Sequence, residues 1–198
     1  CRKGPRTIRG ILISNVSFPK KLEEDIGAKG GNAISIFPHI LKSIKQLEDA
    51  KANFIVMPCN TLHTLMPRIR SSSRTKFIDL IEETSREIKR KYKKIGILST
   101  TKTRKEKLYD NLLENVEIIY PNEIEQREVS DIIIRIIRGK ETTNDKNYLE
   151  RIIGNFIKQG AEKVLLACTD LANLIKNNKD TLDTTEILIK SVIREMNK

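Results

Sequence analysis

Two cysteines stand in matched positions along the chain. Cys59 follows the apolar run 54–58 and Cys168 follows the apolar run 164–167, and each is followed directly by polar residues. We expect both runs to be short buried strands, so that both thiols lie at strand ends. The pKa of a free thiol is about 8.5 and falls at a helix N-terminus. Because each cysteine precedes a predicted helix, we expect both to be thiolates or close to it.

A pair of thiols can act on one carbon atom from opposite faces. One thiolate removes a proton from a carbon acid and the other thiol delivers a proton to the opposite face, which is two-base racemisation or epimerisation. The alternative is a structural role, since free cysteine is among the most buried residue types. A lone cysteine would favour the structural role, whereas two cysteines at matched strand ends favour the chemistry.

Short apolar runs alternate with longer amphipathic stretches along the chain. This alternation predicts an α/β fold whose parallel sheets are covered by helices on both faces. Ligands of such sheets bind beyond the carboxyl ends of the strands, where both cysteines are predicted to lie. Strands are predicted over 8–14, 54–57, 77–80, 95–99, 116–120 and 164–167, and helices over 32–50 (broken or kinked near Pro38), 63–72, 82–93, 103–114, 124–138, 147–159, from 171 onward and over 185–196.

The two cysteine segments also resemble each other, as an internal repeat would. A helix, a turn, an apolar strand and a Cys-polar-polar step occur in the same order at both, and 109 residues separate the two cysteines. This spacing is too long for a solenoid repeat and predicts two pseudo-symmetric α/β halves that face each other across a shared cleft. Residues 1–80 with 183–198 are predicted to form the first half, and residues 81–182 the second.

The composition limits the class, compartment and partners of the protein. The chain has 198 residues, a formal net charge of +11, two histidines and three cysteines without a framework spacing. The unpaired thiols fit a reducing compartment, and the N-terminal residues lack the layout of a signal peptide, so a cytoplasmic protein is expected. No apolar run reaches about 18 residues, so no membrane span is expected. The densest basic stretch, 89–94, follows acidic residues as a helix end would, so a nucleic-acid partner is not favoured. A zinc site is not expected with two histidines and no Cys-x-x-Cys.

The residues around both cysteines resemble those of a known family. The segment Met57-Pro58-Cys59-Asn60-Thr61-Leu62-His63 resembles the first cysteine motif of aspartate racemases in the aspartate/glutamate racemase superfamily. The segment Ala167-Cys168-Thr169-Asp170 resembles the second motif, where the family usually has Gly-Cys-Thr-Glu. Segments 81–84, 96–100 and 182–186 are also similar to family motifs, and the resemblance extends from about residue 8 to the C-terminus.

The resemblance implies an amino-acid racemase that needs neither pyridoxal phosphate nor a metal, built from two flavodoxin-like halves. Cys59 and Cys168 would be the two acid/base residues, and the substrate a small acidic amino acid, aspartate or glutamate. The residues implied to bind the substrate are Asn15, Lys21, Asn60, Thr61, Thr100, Arg138 and Thr169. Among these, Lys21 and Arg138 would supply the cations that hold the dicarboxylate. A homodimer is the assembly that the resemblance implies.

Two supporting residues stand beside the cysteines. His63 lies one helical turn after Cys59 and either donates to its thiolate or bonds to backbone. Asp170, two residues after Cys168, can orient or deprotonate that thiol, with a reach one methylene shorter than the family's Glu.

The chain also departs from the family pattern. The family begins with a strand and a Gly-Gly-Met-Gly-Pro loop, and the first strand predicted here matches its second, so about one βα unit is absent and an open sheet edge is expected. Val16 replaces Pro and Lys102 replaces Gly. These differences keep open a non-catalytic or divergent racemase-like protein that binds an amino acid or a partner. Another superfamily activity is also open, such as a hydantoin or maleate-type isomerase; the cysteine pair argues against an arylmalonate-type decarboxylase, which needs one thiol.

Overall fold

The computed structural model describes residues 10–17 and 19–198. The helices are α1 Lys20–Lys29, α2 Phe37–Asp49, α3 Met66–Ser72, α4 Leu80–Lys91, α5 Thr101–Lys105, α6 Glu123–Ile137, α7 Thr143–Lys158, α8 Thr169–Leu174 and α9 Thr184–Met196. The strands are β1 Phe54–Val56, β2 Lys76–Ile78, β3 Lys94–Ser99, β4 Glu117–Ile119, β5 Lys163–Ala167 and β6 Thr181–Asp183. Three 3-10 turns join them, at Ala33–Ile36, Thr61–Leu65 and Asp110–Leu112.

These strands form two parallel sheets. In the described part of the chain, β1 pairs with β2, and the second sheet has the order β4-β3-β5-β6. Parallel strands need crossover connections, and helices supply most of them here. The predicted α/β fold with parallel sheets flanked by helices is confirmed.

The second sheet is buried on both faces, which explains why its central strands are apolar throughout. Leu98, Val164 and Leu166 point to one face, where they pack against α6 and α7. Ile97 and Leu165 point to the other face and pack against α4. The side chains of neighbouring residues therefore alternate between two separate clusters of the core.

Helix α7 packs directly against β3 at a glycine. A Cβ atom added at Gly96 would lie 2.3 Å from Cδ2 of Phe156, far inside van der Waals contact. Glycine at this position lets the helix approach the strand closely, and the ring of Phe156 fills the space that a side chain would occupy.

Helix α6 has a strong start signal in the sequence. The side chain of Asn122 accepts from the backbone N–H groups of Ile124 and Glu125, and the carboxylate of Glu125 accepts from the N–H of Asn122. This capping box satisfies backbone donors that the first helical turn leaves without partners. It fixes the start of a helix whose far end forms one wall of the cavity described below.

Two predicted helices can be compared in detail with the structure. The stretch 32–50 is divided near Pro38, as predicted: a 3-10 turn covers Ala33–Ile36 and α2 begins at Phe37. Pro38 lies in the first turn of α2, where a missing N–H costs nothing. The predicted helix 103–114 is wrong beyond Lys105, because the chain turns through Lys107 in a left-handed conformation with φ 51°. That turn directs Tyr109 into the core, where it is buried.

The strand predicted over 8–14 is not formed by its described part. Residues 10–14 form neither helix nor strand, and the side chains of Ile11 and Ile13 are 77% and 89% exposed. A strand requires a partner ladder, and β1 pairs on one side with β2. Residues 8 and 9 lie outside the described residues.

The predicted boundaries of the two halves stay predictions. Strand β6 was not predicted, and it pairs with β5 in the second sheet. Helix α9, assigned to the first half, packs on α4, assigned to the second.

Candidate active site

A cavity opens at the carboxyl ends of strands from both sheets. It contains about 540 Å³ of space, part of it continuous with solvent. Its lining comes from the segments after β1, β3 and β5, from α1 and α6, and from the turn before α2: Ile26, Gly27, Ile36, Cys59, Asn60, Thr61, Leu62, Thr100, Ile133, Ile137, Cys168, Thr169 and Asp170. Both cysteines predicted to do chemistry therefore face the same cavity, in the position expected for parallel sheets.

Cys59 is held by its backbone. Its N–H donates to the carbonyl of Met57 at 2.8 Å, and its own carbonyl lies 2.7 Å from Nδ1 of His63. The N–H of Leu80 donates to Nε2 of the same ring at 3.2 Å. Because Nε2 accepts, Nδ1 carries the proton and donates to the carbonyl of Cys59.

Of the two roles left open for His63, the structure shows the bond to backbone. The ring is buried, and burial lowers its pKa, although the carboxylate of Asp79 acts in the opposite direction. A neutral imidazole that bridges two backbone groups fixes the main chain at Cys59 against the start of α4. Its effect on the thiol is therefore one of position.

Cys168 lies at the N-terminus of α8, and its side chain is buried. Its thiol donates to Oδ2 of Asp170 at 3.6 Å. Burial raises the pKa of Cys168, and the negative charge of Asp170 and the neighbouring Cys59 raise it further. The N–H groups of Asp170 and Leu171 lower the pKa by less. The expectation that Cys168 is close to a thiolate is wrong, because burial outweighs the helix N-terminus.

Asn60 connects three parts of the fold. Its side-chain carbonyl accepts from the hydroxyl of Tyr109 at 2.5 Å, and its amide donates to the hydroxyl of Thr184 at 3.1 Å. The hydroxyl of Thr184 in turn donates to the carbonyl of Leu166 at 3.3 Å. Asn60 is buried and lines the cavity, so this network holds the residue after Cys59 against the second sheet.

Three threonine hydroxyls form a cluster beside the cysteines. The hydroxyl of Thr61 lies 2.9 Å from that of Thr100 and 3.3 Å from that of Thr103, and the hydroxyls of Thr100 and Thr103 are 3.0 Å apart. Thr61 and Thr100 line the cavity, as does Thr169. Together with Asn60 they give the cavity a set of neutral hydrogen-bonding groups.

Three of the predicted substrate-binding residues are not among the described residues that line the cavity. Asn15 and Lys21 are exposed. Arg138 follows Ile137 at the end of α6, and its guanidinium donates to both carboxylate oxygens of Glu24 on α1, at 2.7 Å each. In the described part of the chain, neither of the two predicted cations, Lys21 and Arg138, lines the cavity.

Three residues of this site were missed by sequence reasoning. Tyr109, Thr184 and Thr103 hold Asn60 and the threonine cluster in place. Thr103 follows Thr100 in the pattern of a helix N-cap, and its N–H donates to the hydroxyl of Thr100 at 3.1 Å, so a local signal exists for it. Tyr109 and Thr184 reach Asn60 through tertiary contacts alone.

The remaining lining residues are apolar. They are Ile26 and Gly27 of α1, Ile133 and Ile137 of α6, Ile36 and Leu62. Helix α1 lies across α5 and α6 and brings its apolar side chains over the cleft. The ionisable side chains among the described residues that line the cavity are those of Cys59, Cys168 and Asp170.

No group of three or more His, Cys, Asp or Glu side chains within residues 10–17 and 19–198 could hold a metal ion. No helix of the same residues is both long enough and apolar enough to cross a membrane.

Comparisons with known proteins agree with this architecture. A family model described as Asp/Glu/Hydantoin racemase matches residues 2–192. The broad specificity amino-acid racemase RacX of Bacillus subtilis (strain 168) is 26% identical over 159 residues, which are 78% of this chain and 69% of that protein.

Two solved structures share the fold. An aspartate racemase homologue from Pyrococcus horikoshii OT3 superimposes with a TM-score of 0.68 and 27% identity, over 80% of this chain and 73% of that one. The aspartate racemase of Picrophilus torridus superimposes with a TM-score of 0.69 at 24% identity, over 80% of this chain and 68% of that one. The match of the family model over almost the whole sequence, with two thiols facing one cleft, assigns the chain to the Asp/Glu/hydantoin racemase family.

Proposed function

We propose that the protein is an amino-acid racemase that needs no cofactor and uses Cys59 and Cys168 as its two acid/base residues. The observation that supports this proposal is that both thiols line one cavity, each at the end of a strand from a different sheet. A substrate bound between them would present opposite faces of its Cα to the two sulfurs. Membership of the racemase family supports the same reaction class.

The two thiols have different tasks at the start of a reaction. Cys168 is protonated because burial raises its pKa, so it is the thiol that delivers a proton to Cα. Cys59, in its thiolate form, removes the Cα proton from the opposite face. The reverse reaction needs the thiolate of Cys168, and Asp170, whose carboxylate already accepts from that thiol, is the group that can take its proton.

The weak acidity of Cα is the main barrier to such a reaction. Hydrogen-bond donors fixed around the substrate carboxylate stabilise the negative charge that develops as the proton leaves. Asn60, Thr61, Thr100 and Thr169 are the donors that line the cavity beside the thiols. The networks through Tyr109 and Thr103 hold Asn60 and the threonines before substrate binds. An acidic substrate side chain and a homodimer stay predictions from the sequence.

A second candidate is a divergent protein that binds an amino acid without racemising it. The position of Asn15, Lys21 and Arg138 away from the described cavity lining favours this alternative. The retained thiol pair favours the racemase.

Exchange of the Cα proton distinguishes the two candidates. The protein is incubated in D₂O with L-aspartate, L-glutamate and neutral L-amino acids, and the Cα signal is followed by NMR while the D-enantiomer is assayed. We expect loss of the signal with formation of the D-enantiomer for at least one amino acid. Cys59→Ser and Cys168→Ser should each abolish racemisation, whereas Cys1→Ser, the same change at the third cysteine, should leave it unchanged. Binding without exchange across the whole panel would overturn the racemase proposal in favour of the second candidate.

A further inference from the structure

We infer that Thr184, which lies outside the cavity lining, is a positioning residue for the reaction because its hydroxyl orients the side-chain amide of Asn60. The same hydroxyl joins the two segments that carry Cys59 and Cys168. The inference rests on the proposed racemase function and adds to it a residue that belongs neither to the cysteine motifs nor to the cavity lining.

The place of Thr184 is set by the backbone on both sides of it. Asp183, the last residue of β6, stands opposite Leu166 in the parallel pairing of β6 with β5. The side chain of Asp183 accepts from the N–H of Thr185 at 2.7 Å and so caps the start of α9. Thr184 is therefore the first residue of α9, fully buried and within hydrogen-bond distance of β5.

The direction of the hydrogen bonds at Thr184 follows from one backbone carbonyl. A carbonyl can only accept, so the hydroxyl of Thr184 donates its one proton to the carbonyl of Leu166 at 3.3 Å. The same hydroxyl oxygen must then accept from its other neighbour, which is the amide nitrogen of Asn60 at 3.1 Å. Thr184 therefore determines which way the amide of Asn60 faces, with its nitrogen toward Thr184 and its oxygen toward Tyr109.

The contact with Tyr109 agrees with this orientation. Oη of Tyr109 and the side-chain oxygen of Asn60 are 2.5 Å apart, a separation that occurs in O–H···O bonds and lies below the range of N–H···O bonds. An amide nitrogen carries two protons, so Asn60 keeps one N–H beyond the bond to Thr184. Because Asn60 is buried and lines the cavity, the direction of this donor is fixed before a substrate binds.

Thr184 also connects the two strand ends that carry the thiols. Asn60 follows Cys59 directly, and Leu166 precedes Cys168 by two residues. Two hydrogen bonds through one oxygen atom therefore join the segment after β1, in the first sheet, to β5 in the second. Two-base racemisation needs both sulfurs to keep their places around one Cα, and misplacement of a reacting group by about 1 Å can cost about a hundredfold in rate.

Thr184→Val removes the hydroxyl and keeps the shape of the side chain. The rate is measured for the amino acid that racemises fastest among L-aspartate, L-glutamate and the neutral L-amino acids. We expect kcat to fall by at least about tenfold and KM to change less, because a misdirected donor weakens the transition state more than substrate binding. Thr184→Ser, which keeps the hydroxyl, should retain kcat within about threefold of the parent.

Thr181→Val is the matched control for the loss of a threonine hydroxyl. Thr181 lies three residues earlier, on β6, and its hydroxyl donates to the carbonyl of Asn178 at 2.9 Å. Neither residue lines the cavity or contacts Asn60 by a hydrogen bond in the described part of the chain. The control should therefore leave kcat unchanged.

A double-mutant cycle shows whether Thr184 acts through Asn60. In an Asn60→Ala background the amide is absent, so Thr184→Val should lower kcat by less than about threefold there, against at least about tenfold in the parent. A purely structural role would lower kcat equally in both backgrounds. If Thr184→Val does not fold, Tyr109→Phe, which removes the other bond of the same amide, takes its place in the cycle with the same expectation.

The outcomes separate this inference from the function on which it rests. A loss of at least about tenfold that Thr184→Ser does not share, and that is absent in the Asn60→Ala background, supports the positioning role. A smaller loss, or an equal loss in either comparison, overturns the positioning role and leaves the racemase proposal standing. Absence of exchange with every amino acid tested in the parent protein overturns the racemase proposal, and the positioning role with it.

Discussion

The thiol of Cys168 donates to a carboxylate oxygen of Asp170 across 3.6 Å, in a cavity that Cys59 also lines. A thiol in this setting is held in its protonated form, because burial disfavours the thiolate and Asp170 adds like charge to it. The same carboxylate is also the acceptor for the proton when Cys168 must act as a base. One residue therefore keeps the thiol protonated and provides the means to deprotonate it.

Removal of the charge on Asp170 should lower the pKa of Cys168. In Asp170→Asn the burial remains, and burial is the larger cause, so the pKa should fall but stay above the ordinary thiol value of about 8.5. The measurement is the rate of alkylation of Cys168 by iodoacetamide against pH, read by peptide mass spectrometry in a Cys59→Ser background. The matched control is Asp131→Asn, at an exposed position of α6, which should leave the profile unchanged. An Asp170→Asn profile identical to that of the parent would show that the carboxylate does not act on this thiol.

The sequence predicted the fold well where local signals decide it. Continuous apolar runs identified β3 and β5 because both faces of their sheet are covered. The strand over 8–14 failed because an apolar run alone does not supply a partner ladder. Strand β6, three residues long and only partly buried, carries too little apolar pattern to be recognised.

The site was predictable where its residues lie beside the cysteines in sequence or, as for Thr100, in a segment similar to a family motif. Cys59, Asn60, Thr61, Cys168, Thr169 and Asp170 all line the cavity. The partners of Asn60 and Arg138 were not predictable, because Tyr109 lies 49 residues from Asn60 and Glu24 lies 114 residues from Arg138. The raised pKa of Cys168 was also missed, since the sequence indicates the helix start but not the depth of burial.

The hydroxyl of Tyr109 should make its own contribution to the stability of the protein, apart from that of the buried ring. Tyr109→Phe keeps the buried ring but leaves the side-chain carbonyl of Asn60 without its donor, so we expect a loss of about 1–3 kcal/mol in the free energy of unfolding. Urea denaturation measures the loss. Tyr92→Phe is the control, because the half-buried Tyr92 hydroxyl has no hydrogen-bond partner in the described part of the chain, and it should change stability by less than about 0.5 kcal/mol. Equal effects of the two changes would contradict a specific role for the bond to Asn60.

Two glycine-to-alanine changes should act in opposite directions. Gly96→Ala places a methyl group against the ring of Phe156 and should destabilise the protein by about 1–3 kcal/mol through overpacking. Gly154→Ala lies in α7, where nothing is within 4 Å of the added Cβ, and should stabilise the protein by about 0.5–1 kcal/mol. Thermal unfolding of both variants beside the parent checks the signs. Tolerance of alanine at residue 96 would show that α7 does not pack as closely on β3 as described.

His63 should make the folded protein sensitive to acid. Its folded-state pKa lies below the usual 6.5 because the ring is buried; Asp79 and Glu82 favour protonation, and Arg70 opposes it. As the pH falls below about 6.5, the histidine of the unfolded chain binds a proton that the folded protein does not bind. The contribution of His63 to the free energy of unfolding is therefore fully present above this pH, and it is lost on acidification toward the folded-state pKa. The loss from this one group can reach about 1.4 kcal/mol per pH unit.

The comparison of two histidines isolates this effect from the carboxylates, which also titrate in acid. His63→Gln keeps a donor for the carbonyl of Cys59 and an acceptor for the N–H of Leu80, and it does not titrate, so its urea midpoint should fall less than that of the parent between pH 7.5 and pH 5. His39→Gln, at the exposed second histidine, should follow the parent. If the urea midpoints of the parent and of His63→Gln fell in parallel between pH 7.5 and pH 5, protonation of the ring would cost no stability. The description of His63 as a neutral bridge between Cys59 and Leu80 would then be wrong.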